Sequence, residues 1–265
     1  MANKLAVITG ASTGIGKEIA KIAAGEGYDL IIVADEPQID AAAGELSSFG
    51  VDVQAIEADL STFEGNDQLL AACGGRPIDV LVANAGRGLG QGFLEQDPAE
   101  WRRVIDTNVT GTTYLLQKVL QQMVPRNEGN VLITGSIAGL IPGAWQAVYN
   151  GTKAYLDSLS YAIREEIKDT DVNVTVLMPG PTETQFFRRA DMERNTPVGQ
   201  SEKADAAKVA QDGWGAMTSH KPHVVSGFMN KVQAAMSHIT PDTLNAKMHT
   251  GMAKPDDVEE SRGGL

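Results

Sequence analysis

Residues 5–16 read Leu5-Ala6-Val7-Ile8-Thr9-Gly10-Ala11-Ser12-Thr13-Gly14-Ile15-Gly16. Five apolar or β-branched residues with no alternation predict a short strand buried on both faces, and Gly10 ends it. Residues 17–27 follow at helical period, with Ile19, Ala20, Ala23 and Ala24 sharing one face. A glycine turn between a buried strand and a helix lets backbone amides approach an anion closely, and the helix N-terminus favours negative charge. The stretch therefore predicts an α/β fold whose first turn cradles a pyrophosphate. Its spacing is G-x-x-x-G-x-G rather than G-x-G-x-x-G.

The rest of the chain repeats the unit. Strands are predicted at 29–34, 51–58, 79–83, 130–134, 172–178 and 223–226, alternating with helical material at 39–49, 98–123, 149–168 and 201–217. Alternation of this kind predicts a parallel sheet with right-handed crossovers and a ligand at the strand C-terminal ends. What stands at those ends is telling. Asp35 lies nineteen residues past Gly16, where an acid bonds the ribose hydroxyls of NAD and opposes the 2′-phosphate of NADP. Neither neighbour of Asp35 in the sequence is Arg or Lys. Asp59 closes the third strand, either to receive an adenine amino group or to cap the next helix. Small residues Asn84-Ala85-Gly86 close the fourth, and a glycine-rich loop runs to Gly92. The long segment 98–123 is expected to bend near 106–109, because Asn108 is poorly placed inside a helix unless its amide is needed; Pro125 is expected to close it. On helix 149–168 the apolar face is expected at Tyr155, Leu159, Ala162, Ile163 and Ile167. Residues 183–200 lack periodicity and suit a lid over a ligand, or an ordinary surface loop. Residues 230–248 predict one or two helices broken at Pro241.

Chemistry concentrates in residues 134–153. Tyr149 and Lys153 are four apart, one helical turn, on one face. An ammonium beside a phenol favours the phenolate and is expected to draw its pKa down toward neutrality, making an acid–base group. Ser136, at the end of the fifth strand, is placed to hold the same oxygen. Alone, Y-x-x-x-K occurs by chance on many helices. Phe93, Trp145, Gln146, Phe186 and Phe187 are candidates for lining a substrate pocket, or for packing.

A net charge of −12 over 265 residues opposes nucleic acid and anionic membrane surfaces as partners. The single cysteine, Cys73, forms no intrachain disulfide and reads as a buried structural thiol. No Cys/His spacing resembles a metal site, so none is expected. The N-terminus enters the first strand without an apolar leader. No apolar run approaches the roughly 20 residues that span a bilayer, so a cytoplasmic protein is expected.

In this order and spacing, residues 9–16, Asp59, Asn84-Ala85-Gly86, Asn108, Ser136, Tyr149-Asn150-Gly151-Thr152-Lys153 and Pro179-Gly180 followed by Thr184 make residues 4–226 resemble the short-chain dehydrogenase/reductase family. The resemblance implies a Rossmann-type, doubly wound parallel sheet in a single domain over 1–253. It also implies a substrate lid at about 183–200 and an acidic, flexible tail at 254–265. The implied activity is hydride transfer between NAD(P) and a small secondary alcohol or ketone. Tyr149 would be its acid and base. Lys153 would lower the Tyr149 pKa, helped by the charged nicotinamide, and hold the nicotinamide ribose. Ser136 would polarise the substrate oxygen, and Asn108 would hold a water in a proton relay. Implied cofactor contacts are Gly10, Ser12, Thr13, Gly14, Ile15, Gly16, Asp35, Asp59, Leu60, Asn84, Ala85, Gly86, Tyr149, Lys153, Pro179, Gly180, Thr182 and Thr184. NAD-preferring members usually carry their acid one residue earlier, where this chain has Ala34, and NADP-preferring members often place arginine where Asp35 stands. The acid favours NAD, with NADP not excluded. Homotetramers or homodimers through helices 108–123 and 150–168 are implied too. The alternative is a dinucleotide-binding regulator without turnover.

Overall fold

A computed structural model describes residues 3–237 and 239–256. Among the described residues seven strands form one parallel sheet: β1 (Leu5–Thr9), β2 (Asp29–Ala34), β3 (Val53–Glu57), β4 (Val80–Ala83), β5 (Asn130–Thr134), β6 (Asn173–Met178) and β7 (His223–Val225). Their order is β3-β2-β1-β4-β5-β6-β7, so the order reverses between β1 and β4. This is the doubly wound, Rossmann-type architecture, and the crevice at such a reversal is where ligands bind. Every residue of β1, β2, β4 and β6 is buried, as continuous apolar runs require.

Helices cover both faces. On one side α1 (Gly14–Gly25), α2 (Gln38–Leu46) and α9 (Ala206–Thr218) pack on the core of Ile8, Ile19, Ile32, Leu132 and Trp214. On the other, α3 (Phe63–Ala72), α5 (Thr112–Arg126) and α6 (Ala147–Glu166) enclose Val7, Leu81, Leu115, Leu116, Val131 and Leu156, and α4 (Pro98–Ile105) packs against α6. Cys73 is buried among the latter. Short helices α7 (Phe186–Arg189) and α8 (Pro197–Gln200), then α10 (Phe228–Ser237) and α11 (Asp242–Ala253), lie beyond.

Some of the expectations hold and others are corrected. The bend near 106–109 is a π-helical turn, Asp106–Gly111, between α4 and α5. Pro125 does not close α5 but sits in its last turn; the helix stops where Asn127 adopts the left-handed conformation at φ 55°. Helix α9 starts at Ala206 rather than 201, because the Asp205 carboxylate accepts the Ala207 N–H and fixes the N-terminus there. Pro241 does separate two helices. The inward face of α6 is not the apolar series. Tyr149, Asn150, Thr152, Lys153, Leu156, Asp157 and Ser160 are buried. Tyr155 and Ala162 face solvent, and Leu159, Ile163 and Ile167 are half-buried. Two inward hydroxyls are satisfied within the helix: Ser160 donates to the Asp157 carbonyl and Thr152 to that of Tyr149. Residues 183–200 are less polar in situ than in sequence, since Phe187, Ala190 and Met192 build a small core with Ala253. Of the expected acidic tail, residues 257–265 lie outside the described residues.

Candidate active site

A cavity of about 500 Å³ opens at the C-terminal ends of β1, β2, β4, β5 and β6. One end is the turn 10–16. Gly10 and Gly14 adopt φ of +64° and +58° there, and a Cβ on Gly14 would stand 2.7 Å from Thr184 Cγ2. The first turn of α1 holds no acid, and Thr13 at its N-cap makes no side-chain cap, so bare amides face the cavity. That donor set fits a pyrophosphate. Gly16 does not line the cavity. A Cβ on it would lie 2.3 Å from the Gly10 carbonyl oxygen and 2.5 Å from Asn84 Nδ2, so it serves the close approach of α1 to the β4 end.

The β1–β4 junction is clasped by one hydroxyl. Thr9 Oγ1 donates to the Val82 carbonyl (3.2 Å) and accepts the N–H groups of Asn84 and Ala85 (both 2.9 Å). Asn84 Nδ2 returns to the Thr9 carbonyl at 3.0 Å, and its Oδ1 accepts from Thr134 Oγ1 at 3.1 Å. Asn108 is wholly buried behind the wall. Its amide accepts the Arg87 N–H (2.8 Å) and donates to the Arg87 carbonyl (2.9 Å) and to Thr152 Oγ1 (3.0 Å), fastening the loop after β4 to α6.

At the other end stand Ser136, Tyr149 and Lys153. Lys153 Nζ donates to the Thr134 carbonyl at 2.7 Å and lies 5.8 Å from the Tyr149 ring centre. The Phe186 ring, from α7, packs 5.1 Å from the same ring. Ser136 Oγ donates to the Pro179 carbonyl at 3.4 Å and accepts the Ala138 N–H at 3.1 Å. The expected lowering of the Tyr149 pKa is reversed here. Burial pushes the phenol up to about 12, outweighing the Ser136 hydroxyl beside it. Burial likewise brings Lys153 down to about 8, against the nearby Asp157.

Of the catalytic and cofactor-binding residues expected from sequence, all but Gly16 and Asn108 line this cavity. Among the pocket candidates, Gln146, Phe186 and Phe187 line it; Phe93 and Trp145 do not. Asp59 does not cap the following helix, since Thr62 Oγ1 accepts the Gly65 N–H in that role. The argument from Asp35's sequence neighbours also fails in space. Arg87 Nη2 lies 2.9 Å from Asp35 Oδ2 and Arg103 Nη2 lies 3.5 Å away, both brought from distant elements. Beside them Glu36 accepts Ser12 Oγ and both short contacts of Arg189 Nη2, at 2.6 and 2.7 Å.

Sequence reasoning missed Arg87, Arg189, Gln233, His249 and Met252 in the lining. His249 faces the Ala144 carbonyl through Nδ1 at 2.7 Å, so Nδ1 carries the proton. It missed Asp157 as well, one turn past Lys153. Its side chain is buried, neither oxygen has a hydrogen-bond partner, and both press on the turn carrying Ser136. A Cβ on Gly135 or Gly139 would stand 2.0 or 2.3 Å from them. Burial pushes this acid up to about 7. Its i, i+4 relation to Lys153 was legible; its depth was not.

Residues 4–195 match the short chain dehydrogenase family. A 3-oxoacyl-[acyl-carrier-protein] reductase of rhamnolipid biosynthesis from Pseudomonas aeruginosa is 33% identical over 223 residues, which span 81% of this chain and 85% of that protein. A short-chain dehydrogenase from Sphingobium yanoikuyae, solved with NADPH, superimposes with a TM-score of 0.79 at 26% identity, covering 89% of this chain and 93% of that one. A Burkholderia phymatum short-chain dehydrogenase/reductase, solved with NAD, shares the fold at a TM-score of 0.83 and 22% identity, covering 90% and 94%. This chain belongs to the short-chain dehydrogenase family of oxidoreductases.

Proposed function

We propose that the protein is an NAD(P)-dependent oxidoreductase that interconverts a ketone and a secondary alcohol, with Tyr149 as acid and base. The observation that carries this is one cavity with an uncapped glycine turn at one end and Ser136, Tyr149 and Lys153 at the other. The nicotinamide, when bound, supplies or accepts the hydride. The turn from Gly10 to Ile15 would hold the pyrophosphate, Asp35 the adenosine ribose, and Lys153 the nicotinamide ribose. The complexes of related proteins with NADPH and with NAD support both cofactors. Arg87 and Asp35 face each other at 2.9 Å, so the same site holds a group for each: the carboxylate for free hydroxyls, the guanidinium for a 2′-phosphate.

The proton chemistry follows from burial. With its pKa up at about 12, the Tyr149 phenol is protonated at neutral pH, the form that donates to a ketone oxygen. Lys153, brought down to about 8, exchanges protons near working pH and serves as the next group in line. Ser136 Oγ donates to the substrate oxygen from its second side. Asn108 keeps the loop after β4 and α6 in register, so that Lys153 stays behind Tyr149. The segment 183–200 acts as the substrate lid, because Phe186 already rests on Tyr149. Copies of the chain associate through α5 and α6, where Tyr155 and Tyr161 remain 40% and 42% exposed.

Following NADH and NADPH oxidation with a panel of ketones tests the reading. Tyr149→Phe should lower kcat by roughly 10²–10⁴-fold with cofactor KM little changed. Equal turnover by Tyr149→Phe refutes the acid–base assignment. An enzyme inert to every ketone and alcohol, yet binding NAD(H), would return the protein to the regulator reading.

A further inference from the structure

Every charged side chain lining the cavity except Lys153 lies on the cofactor side. Asp35, Glu36 and Asp59 end β2 and β3, and Arg87 and Arg189 are paired to Asp35 and Glu36. The rest of the wall is uncharged: Ile137, Ile141, Phe186 and Phe187 are its large apolar members, beside the polar Ser136, Gln146, Gln233 and His249. A carboxylate or phosphate on the substrate would find no free cation there, among the described residues.

The apolar wall does not stop at the cavity mouth. Helix α10 packs on the turn Ile137–Leu140 next to Ser136, and α11 packs on α8 and bonds Ala144 through His249, so both helices border the Tyr149 end. Met252 lines the cavity and is also the last member of a stripe, Leu244, Met248 and Met252, at i, i+4 and i+8. These three are 48%, 61% and 38% exposed. Gln233 lines the cavity from α10, with Met229 and Met236, 73% and 53% exposed, one turn to either side. Unbranched thioether side chains adapt to a flexible apolar partner, and contiguous exposed apolar surface marks a contact site.

We propose, resting on the oxidoreductase reading above, that the substrate is a ketone bearing a linear aliphatic chain, with its carbonyl at Tyr149 and its chain leaving past Met252 along the methionines of α10 and α11. Continuity selects this occupant: the exposed stripe and the cavity lining share a residue on one helix and a face on the other. The chain occupies both at once.

The test is the chain-length dependence of kcat/KM for 2-alkanones from 2-butanone to 2-dodecanone. Binding of 2-dodecanone to the cofactor-loaded protein is measured separately by calorimetry. Each methylene that leaves water is expected to raise kcat/KM about twofold to fourfold. Met248→Glu and Met236→Glu, both at exposed positions, should cut the 2-dodecanone to 2-butanone ratio by about tenfold or more. Three results overturn the proposal: a flat length profile in an enzyme that reduces 2-butanone, variants that scale all ketones equally, or variants that change only the mass in light scattering or the sedimentation with vesicles. Tight 2-dodecanone binding weakened by Met248→Glu, but without turnover of any ketone, would support the chain site and remove the catalytic reading. Absence of both binding and turnover would overturn the chain site.

Discussion

Asp157→Asn isolates the electrostatic strain of the site. In the folded protein burial holds this carboxyl up at about 7, against the opposing pull of the Lys153 ammonium, whereas an unfolded aspartate titrates near 4. A raised folded pKa means that the native state keeps a proton that the unfolded chain gives up. The contribution of this group to stability is therefore greatest below about pH 4 and falls as pH rises toward 7, at about 1.4 kcal/mol per unit. Across the whole window this amounts to about 4 kcal/mol, and between pH 5 and pH 8 to about 2–3 kcal/mol. Asparagine keeps the shape and cannot ionise. Urea unfolding of both proteins at pH 5 and pH 8 should show the variant gaining about 2–3 kcal/mol relative to wild type at the higher pH, with unchanged m-values. Loss of the anion also makes Lys153 easier to deprotonate, so the alkaline limb of the variant's pH–rate profile should move to lower pH. Parallel stability curves for the two proteins would refute the argument, showing that Asp157 is already solvated or bonded.

Other perturbations read other parts of the site. Gly16→Ala places a methyl 2.3 Å from a backbone oxygen that has no room to retreat. Thermal unfolding should show a loss of about 3 kcal/mol, with cofactor binding impaired. Thr9→Val strands the N–H groups of Asn84 and Ala85; denaturant unfolding should register a loss of about 2–4 kcal/mol, with a rise in cofactor KM. Arg87→Ala should lower the NADPH to NADH ratio of kcat/KM about tenfold, and Asp35→Ala should raise it. If neither substitution moves the ratio, the pair does not face the ribose.

The sheet was legible because it is parallel and buried. Residues 5–9, 29–34 and 130–134 are built on uninterrupted apolar runs, Leu5–Ile8, Leu30–Ala34 and Val131–Ile133, and their ends agree with the observed strands to the residue. Strand β3 lies at the sheet edge and is only partly buried, so its run reads longer than the five paired residues, Val53–Glu57. The site was legible where function sits on local geometry: a strand end, a glycine turn, a helical i, i+4 pair. It was illegible where the long range decides. Arg87 reaches Asp35 across 52 residues and Arg189 reaches Glu36 across 153. Burial of Tyr149 reverses a pKa that proximity to Lys153 alone would lower. The inward face of α6 escaped pattern reading because it is polar, and hydrophobic periodicity finds only apolar faces.

That inward face divides α6 into two halves with different duties. Beyond Ser160, Ile163 and Ile167 anchor the helix to the core. Before it, Tyr149, Asn150, Thr152, Lys153 and Asp157 take places where leucine or valine would bind the sheet more strongly. The reactive end of the helix is therefore locally frustrated, and selection for stability alone would erase it. A search for stabilising substitutions at these positions should return apolar residues first, each gaining cohesion and losing chemistry. Thermal tolerance in this protein has to be built elsewhere, along the outer turns and the far half of the sheet.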